Sequence, residues 1–193
     1  MLSAVMSNIS AGTAAPLRRI EAIDLARGFA LVAMAIYHFG WDLEFFGYLE
    51  PGTTLTGGWR LFARCIASSF LFLVGVSLVL AHRGGMHRGP YLKRLAMVGA
   101  AAAAITAGTY VAIGQGFIFF GILHHIALAS VIGLAFLRSP WWLTLAVAVV
   151  AFLSPQYLRS EIFASPWWWW LGLSPVDPPS NDYVPLLPWF AAV

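Results

Sequence analysis

Long apolar runs, separated by short stretches that carry most of the charge, set the organisation of this chain. A window of about 19 residues finds four runs long enough to cross a bilayer as helices, because about 20 helical residues traverse the hydrocarbon core. They are 23–43, 61–81, 92–113 and 117–137. A fifth, 141–153, is shorter and spans only if it continues through Pro155 toward Leu158 or if the bilayer thins around it. A sixth begins near Pro185 in PLLPWFAAV, and the sequence stops inside it at Val193, which reads as a chain cut short within a span. The expected fold is all-α: a polytopic transmembrane helix bundle of five spans plus the start of a sixth, over 17–193. A disordered N-terminal tail, 1–16, precedes it. That tail is rich in Ser, Ala and Gly and has no Lys or Arg before Arg18, so it lacks the basic start of a secretory signal peptide.

Composition sharpens this into a statement about solvent. Of 193 residues, 60% are hydrophobic and 10% are charged, where soluble domains carry about 25% charged residues. The mean hydropathy is +0.79. Eleven Lys and Arg with eight Asp and Glu cannot clothe such a chain in water, so lipid must face most of its surface. Cys65 is the single cysteine; it has no internal disulfide partner, no C-x-x-C neighbour and no zinc-ligand spacing, and no metal site is expected. The basic residues lie in loops between apolar runs rather than in a stripe with interleaved aromatics, which argues against nucleic acid.

Loop charge also predicts orientation. One set of loops holds Arg18, Arg19, Arg27, Arg83, Arg88, Lys93, Arg94 and Arg138; the alternate set holds Arg60, Arg64 and Arg159. Lys and Arg accumulate on the cytoplasmic side, so the N-terminus is expected in the cytoplasm. Asp42, Glu44, Glu50, Asp177 and Asp182 then fall on the far side.

Ionisable groups inside a span are costly, which makes each a functional candidate. In the first span Asp24, Arg27, His38 and Asp42 project within roughly 60° of one another over roughly 27 Å of helix. Gly28 shares that face and would admit a close neighbour or ligand. Asp24 and Arg27, at i and i+3, form either a local ion pair or the mouth of a site for a phosphate-bearing donor. His38 and Asp42, at i and i+4, are spaced for a carboxylate to orient an imidazole. His124 and His125 lie in FFGILHHIA of the fourth span, and His124 falls at a depth similar to His38, about 7–10 Å below the outer helix ends. Packing is the competing role for these histidines. Ser68, Ser69, Ser77, Thr106 and Thr109 read as groups that satisfy helix backbones or pack between helices.

Between Ser154 and Tyr183 the chain is Pro-rich and carries four consecutive tryptophans, Trp167 to Trp170. Tryptophan settles at headgroup level, so this stretch is expected at the outer interface; a sugar-binding platform is the sharper alternative. There is no G-x-G-x-x-G phosphate loop and no G-x-S-x-G nucleophile elbow.

Four ordered segments, RRIEAIDLARGFALVAMAIYHFGWD, FLFLVGVSLVL, FFGILHHIA and DYVPLLPWF, together resemble the DUF1624 family over 17–193. That family is related to the catalytic domain of heparan-α-glucosaminide N-acetyltransferase and, more distantly, to YeiB-like and acyltransferase-3 membrane proteins. The resemblance implies a membrane acyltransferase that passes an acyl group, acetyl from cytosolic acetyl-CoA, to a hydroxyl or amine acceptor on the outer side. Eukaryotic members carry a histidine assigned to acyl transfer in the loop after the first helix; here 39–59 contains none, so that role has no matching residue.

The resulting expectation is acyl transfer with His38 or His124 as general base and Asp42 orienting His38. Asp24 and Arg27 bind the donor at the cytosolic mouth, and Asp182 contacts the acceptor, an envelope glycan or a lipid. The setting implied is a bacterial inner membrane, with lipid and acyl-CoA as partners, no nucleic acid, and a homo-oligomer compatible with the pattern. A transporter that relays protons through the same residues, and a non-catalytic membrane subunit, are the competing classes.

Overall fold

The structure is a computed structural model that describes residues 21–85 and 87–193. The N-terminal tail, Arg18 and Arg19 lie outside the described residues. Among the described residues the regular structure is helical, in an all-α bundle of apolar helices. Three are long and apolar enough to cross a membrane: α1 (Glu21–Phe45), α2 (Gly57–His82) and α3 (Arg88–Ile113). Two shorter ones follow, α4 (Ile122–Gly133), which tightens into a 3₁₀ turn at Leu134–Phe136, and α5 (Trp141–Tyr157). The core is thin and sits around Leu71 and Ala129, which are fully buried, while Phe29, Ile36, Phe72, Val79, Val111 and Val150 face outward. An exterior of this kind is stable where the solvent is hydrocarbon, since lipid tails exert no hydrophobic penalty on it.

The fourth and sixth apolar runs differ from a plain reading of hydropathy. Hydropathy groups the apolar stretch 117–121 with the fourth span, yet α4 starts only at Ile122. Gly114 and Gly116 adopt positive φ, 71° and 94°, and turn the chain out of α3. The backbone they free is satisfied by α3 side chains: Thr109 Oγ1 accepts from the Ile118 N–H at 3.0 Å, and Thr106 Oγ1 donates to the Ile118 carbonyl at 2.7 Å. In α5 the helix does run through Pro155 to Tyr157. Proline has no N–H for the Ala151 carbonyl, and the Ser154 hydroxyl donates to that carbonyl instead at 2.9 Å. At 17 residues α5 is about 25 Å long, short of a full hydrocarbon core. The segment expected to open a sixth span is one turn, α6 (Leu186–Trp189), interrupted by Leu187 at φ −104°, ψ 132°, then a 3₁₀ turn at Phe190–Ala192. The tryptophan run lies in a 3₁₀ helix, Pro166–Leu171, with Trp167 exposed and Trp169 and Trp170 folded inward.

α2 is the hub. It packs against α1 on one side and α4 on the other, while α3 packs on α4 and α5 on α6. α1 comes close to α2 because Gly40 leaves room for the Trp59 ring, whose Cη2 would lie 2.6 Å from a Cβ there. Glu44, at the end of α1, fixes the following loop by accepting from the N–H groups of Gly52 (2.6 Å) and Thr54 (2.8 Å) and from the Thr54 hydroxyl (2.7 Å).

Candidate functional site

Two polar clusters occupy opposite ends of the bundle, and α1 contributes to both. At the end bearing the basic loops, Arg27 donates to Asp24 at 3.1 Å and to the Ser77 hydroxyl of α2 at 2.6 Å. The local ion pair is thus formed, and the same guanidinium is tied across to the next helix. Beside it, a cavity of about 170 Å³ is lined by His82, His87, Tyr91 and Arg94 among others. Tyr91 donates to the Ser130 carbonyl at 3.2 Å, and the positive charges of Arg27 and Arg94 reach one another. Two guanidinium groups that repel one another suit a ligand with phosphate oxygens. Gly28 has nothing within 4 Å of where a Cβ would sit. Ser77 and Arg94 carried no signal in the sequence that set them apart from packing and loop residues.

At the opposite end, a strap at 180–185 lies against the loop that enters α4. The Asn181 N–H donates to the Gly116 carbonyl and the Val184 N–H to the Phe120 carbonyl, both at 3.1 Å. That places the Asp182 carboxylate over the first turn of α4, where Oδ2 accepts from the Ile122 N–H at 3.0 Å. An anion at a helix N-terminus satisfies an otherwise orphan donor and opposes the macrodipole favourably. Burial nevertheless raises the Asp182 carboxyl above its ordinary 3.8, against the pull of the Ile122 N–H and of the charge that the His38 and His124 rings carry when protonated. Next to it, burial holds the Tyr183 phenol up at about 12, so it stays protonated and donates to the Trp169 carbonyl at 2.6 Å.

The approach of Asp182 depends on Gly121. Its φ of −92° suits any residue, so close approach is what requires glycine. A Cβ would collide with Asp182 Oδ2 and lie 2.8 Å from Ile118 Cγ2. Gly121→Ala is expected to lower stability by about 1–3 kcal/mol, as overpacking does, with a lower thermal midpoint as the measured sign.

His38 and His124 are brought to the same region, with α2 packed against both of their helices. Their common neighbour is Asp182, whose charge feels both. His124 is occupied: Nδ1 accepts from the Gly121 N–H at 3.2 Å, so the neutral ring carries its proton on Nε2 and donates to Thr106 Oγ1 at 3.0 Å. His38 is exposed and forms no hydrogen bond or ion pair among the described residues; with Tyr37, Ile122, Asp182 and others it lines a cavity of about 430 Å³. Asp42 is exposed, and no hydrogen bond or ion pair joins it to His38 among the described residues.

His125 takes a different position from its neighbour. It is fully buried, with Nδ1 donating to the carbonyls of Val184 (3.3 Å) and Pro185 (3.2 Å), and its Nε2 has no partner among the described residues. It pins the strap that carries Asp182. Among the described residues no group of three or more His, Cys, Asp or Glu is placed to hold a metal ion.

The family model described as "Heparan-alpha-glucosaminide N-acetyltransferase, catalytic" matches residues 19–193. The chain belongs to that family. No curated protein and no solved structure matches it. Membership in the heparan-alpha-glucosaminide N-acetyltransferase catalytic family supports a membrane acyltransferase, and the match takes in both ends of the bundle, from Asp24 and Arg27 to Asp182.

Proposed function

We propose that this protein transfers an acetyl group from acetyl-CoA, held at the basic end of the bundle, to a hydroxyl or amine acceptor in the cavity at the other end. The observation that carries the reading is the pairing of His38 and Asp182 across one cavity: both line it, and no hydrogen bond or ion pair closes between them among the described residues. The acceptor group fits that gap. In this reading the basic loops face the cytosol, the N-terminus with them, and the setting is a bacterial inner membrane with a glycan of the envelope as acceptor.

Arg27 and Arg94, with His82 and His87 near them, take the phosphates of the donor. Arg27 and His38 are 11 residues apart on α1, about 17 Å along the axis, a gap for the extended pantetheine arm to cross. His38 Nε2 or Nδ1 then takes the proton from the acceptor O–H or N–H as that atom attacks the thioester carbonyl. The tetrahedral oxyanion collapses, the C–S bond breaks, and the CoA thiolate leaves with the proton returned from the imidazolium. Asp182 stabilises the imidazolium. His124, with both ring nitrogens engaged, holds Thr106 and the entry to α4 in place, and Asp24 holds Arg27.

The test is acceptor-dependent release of free CoA by the protein in proteoliposomes. Arg94→Gln is expected to raise KM for acetyl-CoA by about tenfold or more, the worth of one charge-assisted hydrogen bond, with kcat little changed. Movement of an unaltered solute with no CoA released would reject acyl transfer in favour of a transporter.

A further inference from the structure

Between α2 and α5 lies an apolar cleft that the proposed chemistry does not use. A cavity of about 540 Å³ separates the two helices, and a second of about 340 Å³ continues it along α2 through Phe72, Gly75, Val79 and Val193, which line both. On α5 the wall is Trp141, Thr144, Leu145 and Ala148, at i, i+3, i+4 and i+7 on one face. On α2, Phe72, Val76, Val79 and Arg83 keep the matching spacing, and Arg83 falls within roughly 20° of Phe72 about the axis. Phe72, Val79, Trp141 and Leu145 are exposed, so the cleft opens sideways to lipid. Its deep end is closed by Phe190–Val193, and a Cβ at Gly75 would collide with the Val193 carbonyl there.

Three features set this cleft apart from the rest of the lipid-facing surface. Its length suits one leaflet: Gly75 and Arg83 are eight residues apart, about 12 Å of helix, against about 15 Å for half of the hydrocarbon core. Its mouth, at the end bearing the basic loops, is cationic. Arg83 is exposed there with no ion pair or hydrogen bond among the described residues, and Trp141 begins α5 at the same end, where tryptophan marks headgroup level. One turn deeper than Trp141, the Thr144 hydroxyl also forms no hydrogen bond among the described residues. A phosphate, an ester carbonyl and an alkyl chain follow one another in that order in a glycerophospholipid. We infer that the cleft holds an acyl chain of an anionic phospholipid from the leaflet facing the basic loops, with Arg83 on the phosphate and Thr144 on the ester carbonyl. The apolar walls would accept any tail; the unpaired guanidinium supplies the preference for a net negative headgroup. Neither acyl-CoA nor an acceptor enters the argument, so this site stands or falls apart from acyl transfer.

The test is native mass spectrometry of the delipidated protein in detergent, titrated with palmitoyl-oleoyl phosphatidylglycerol or the matching phosphatidylcholine. One phosphatidylglycerol is expected to stay bound at concentrations about tenfold below those needed for phosphatidylcholine, the worth of one charge-assisted contact. Glycerophosphate, which offers the charge without the tail, should not displace it. Arg83→Gln should bring the two lipids to nearly equal retention, and Ala148→Trp, which fills the cleft from the α5 side, should abolish retention of both. Lys93→Gln, at the same end of the bundle but outside the cleft, should leave the preference intact. Thermal midpoints check the fold of each variant; if Ala148→Trp melts early, Arg83→Gln decides alone, because its exposed side chain holds no other residue. Equal retention of the two lipids by the wild type, displacement by glycerophosphate, equal effects of Lys93→Gln and Arg83→Gln, or undiminished retention in a folded Ala148→Trp variant would each overturn the inference. So would a doubled mass that carries no lipid and is lost in Ala148→Trp, which would put a second copy of the chain in the cleft.

Discussion

His38→Ala is expected to lower kcat/KM for acceptor-dependent CoA release by about 10²–10⁴-fold, the usual contribution of a positioned general base, with the thermal midpoint unchanged. His38 is exposed to the cavity and holds no other residue by a hydrogen bond among the described residues, so its truncation removes no buried contact. The cavity left behind admits small bases, and added imidazole should restore part of the lost rate. A variant with activity within threefold of the wild type, or one rescued by nothing and melting early, would place the base elsewhere. The parallel His124→Ala change differs in kind: it frees the Gly121 N–H and the Thr106 hydroxyl at once, so its loss of activity should come with a lower midpoint.

Asp182→Asn is expected to separate charge from shape. The amide oxygen of Asn can still accept from the Ile122 N–H, so the strap stays seated, but the counter-charge for the His38 imidazolium is gone and transfer should fall on the order of a hundredfold. Stability moves the other way. A group whose folded pKa is raised contributes its stability below the unfolded value and loses it as pH rises through the folded one. Burial raises Asp182 above its ordinary 3.8, so its ionised form costs the folded protein at neutral pH. The variant should therefore melt no lower than the wild type at pH 7. Its advantage should shrink as pH falls toward 4, where the wild-type carboxyl regains its proton. Melting curves across that range check the sign. A variant that melts earlier at pH 7 would mean that the ionised carboxylate stabilises the strap after all.

Much of the fold was legible from hydropathy, because a helix that faces lipid must be apolar along its whole length. α1, α2 and α3 follow their apolar runs closely, and α5 continues through Pro155. The loop 114–121 was not legible. Its Phe and Ile residues have the composition of a span, and only the fold shows that Thr106 and Thr109 stand where they can take over its backbone groups. Of the site, the Asp24–Arg27 contact follows from i, i+3 spacing. The same reasoning pairs His38 with Asp42, but α1 turns Asp42 outward, and the carboxylate whose charge reaches His38 belongs to Asp182. Helical periodicity describes neighbours on one helix and carries no information about a strap more than a hundred residues away. His125 illustrates the same limit: adjacent to His124 in sequence, it points into the core and binds the strap backbone.

The strap has a consequence for how the protein is made. His38 enters the membrane with the first helix, while Asp182 is synthesised 144 residues later, roughly 7–30 s at translation rates of 5–20 residues per second. Throughout that interval the nascent chain already carries Arg27 and His38, but the cavity beside His38 has no far wall, and α4, once made, has an uncapped N-terminus. If the proposed chemistry holds, assembly of the last connecting segment is a built-in safety catch: nothing can be held opposite His38 until the strap closes.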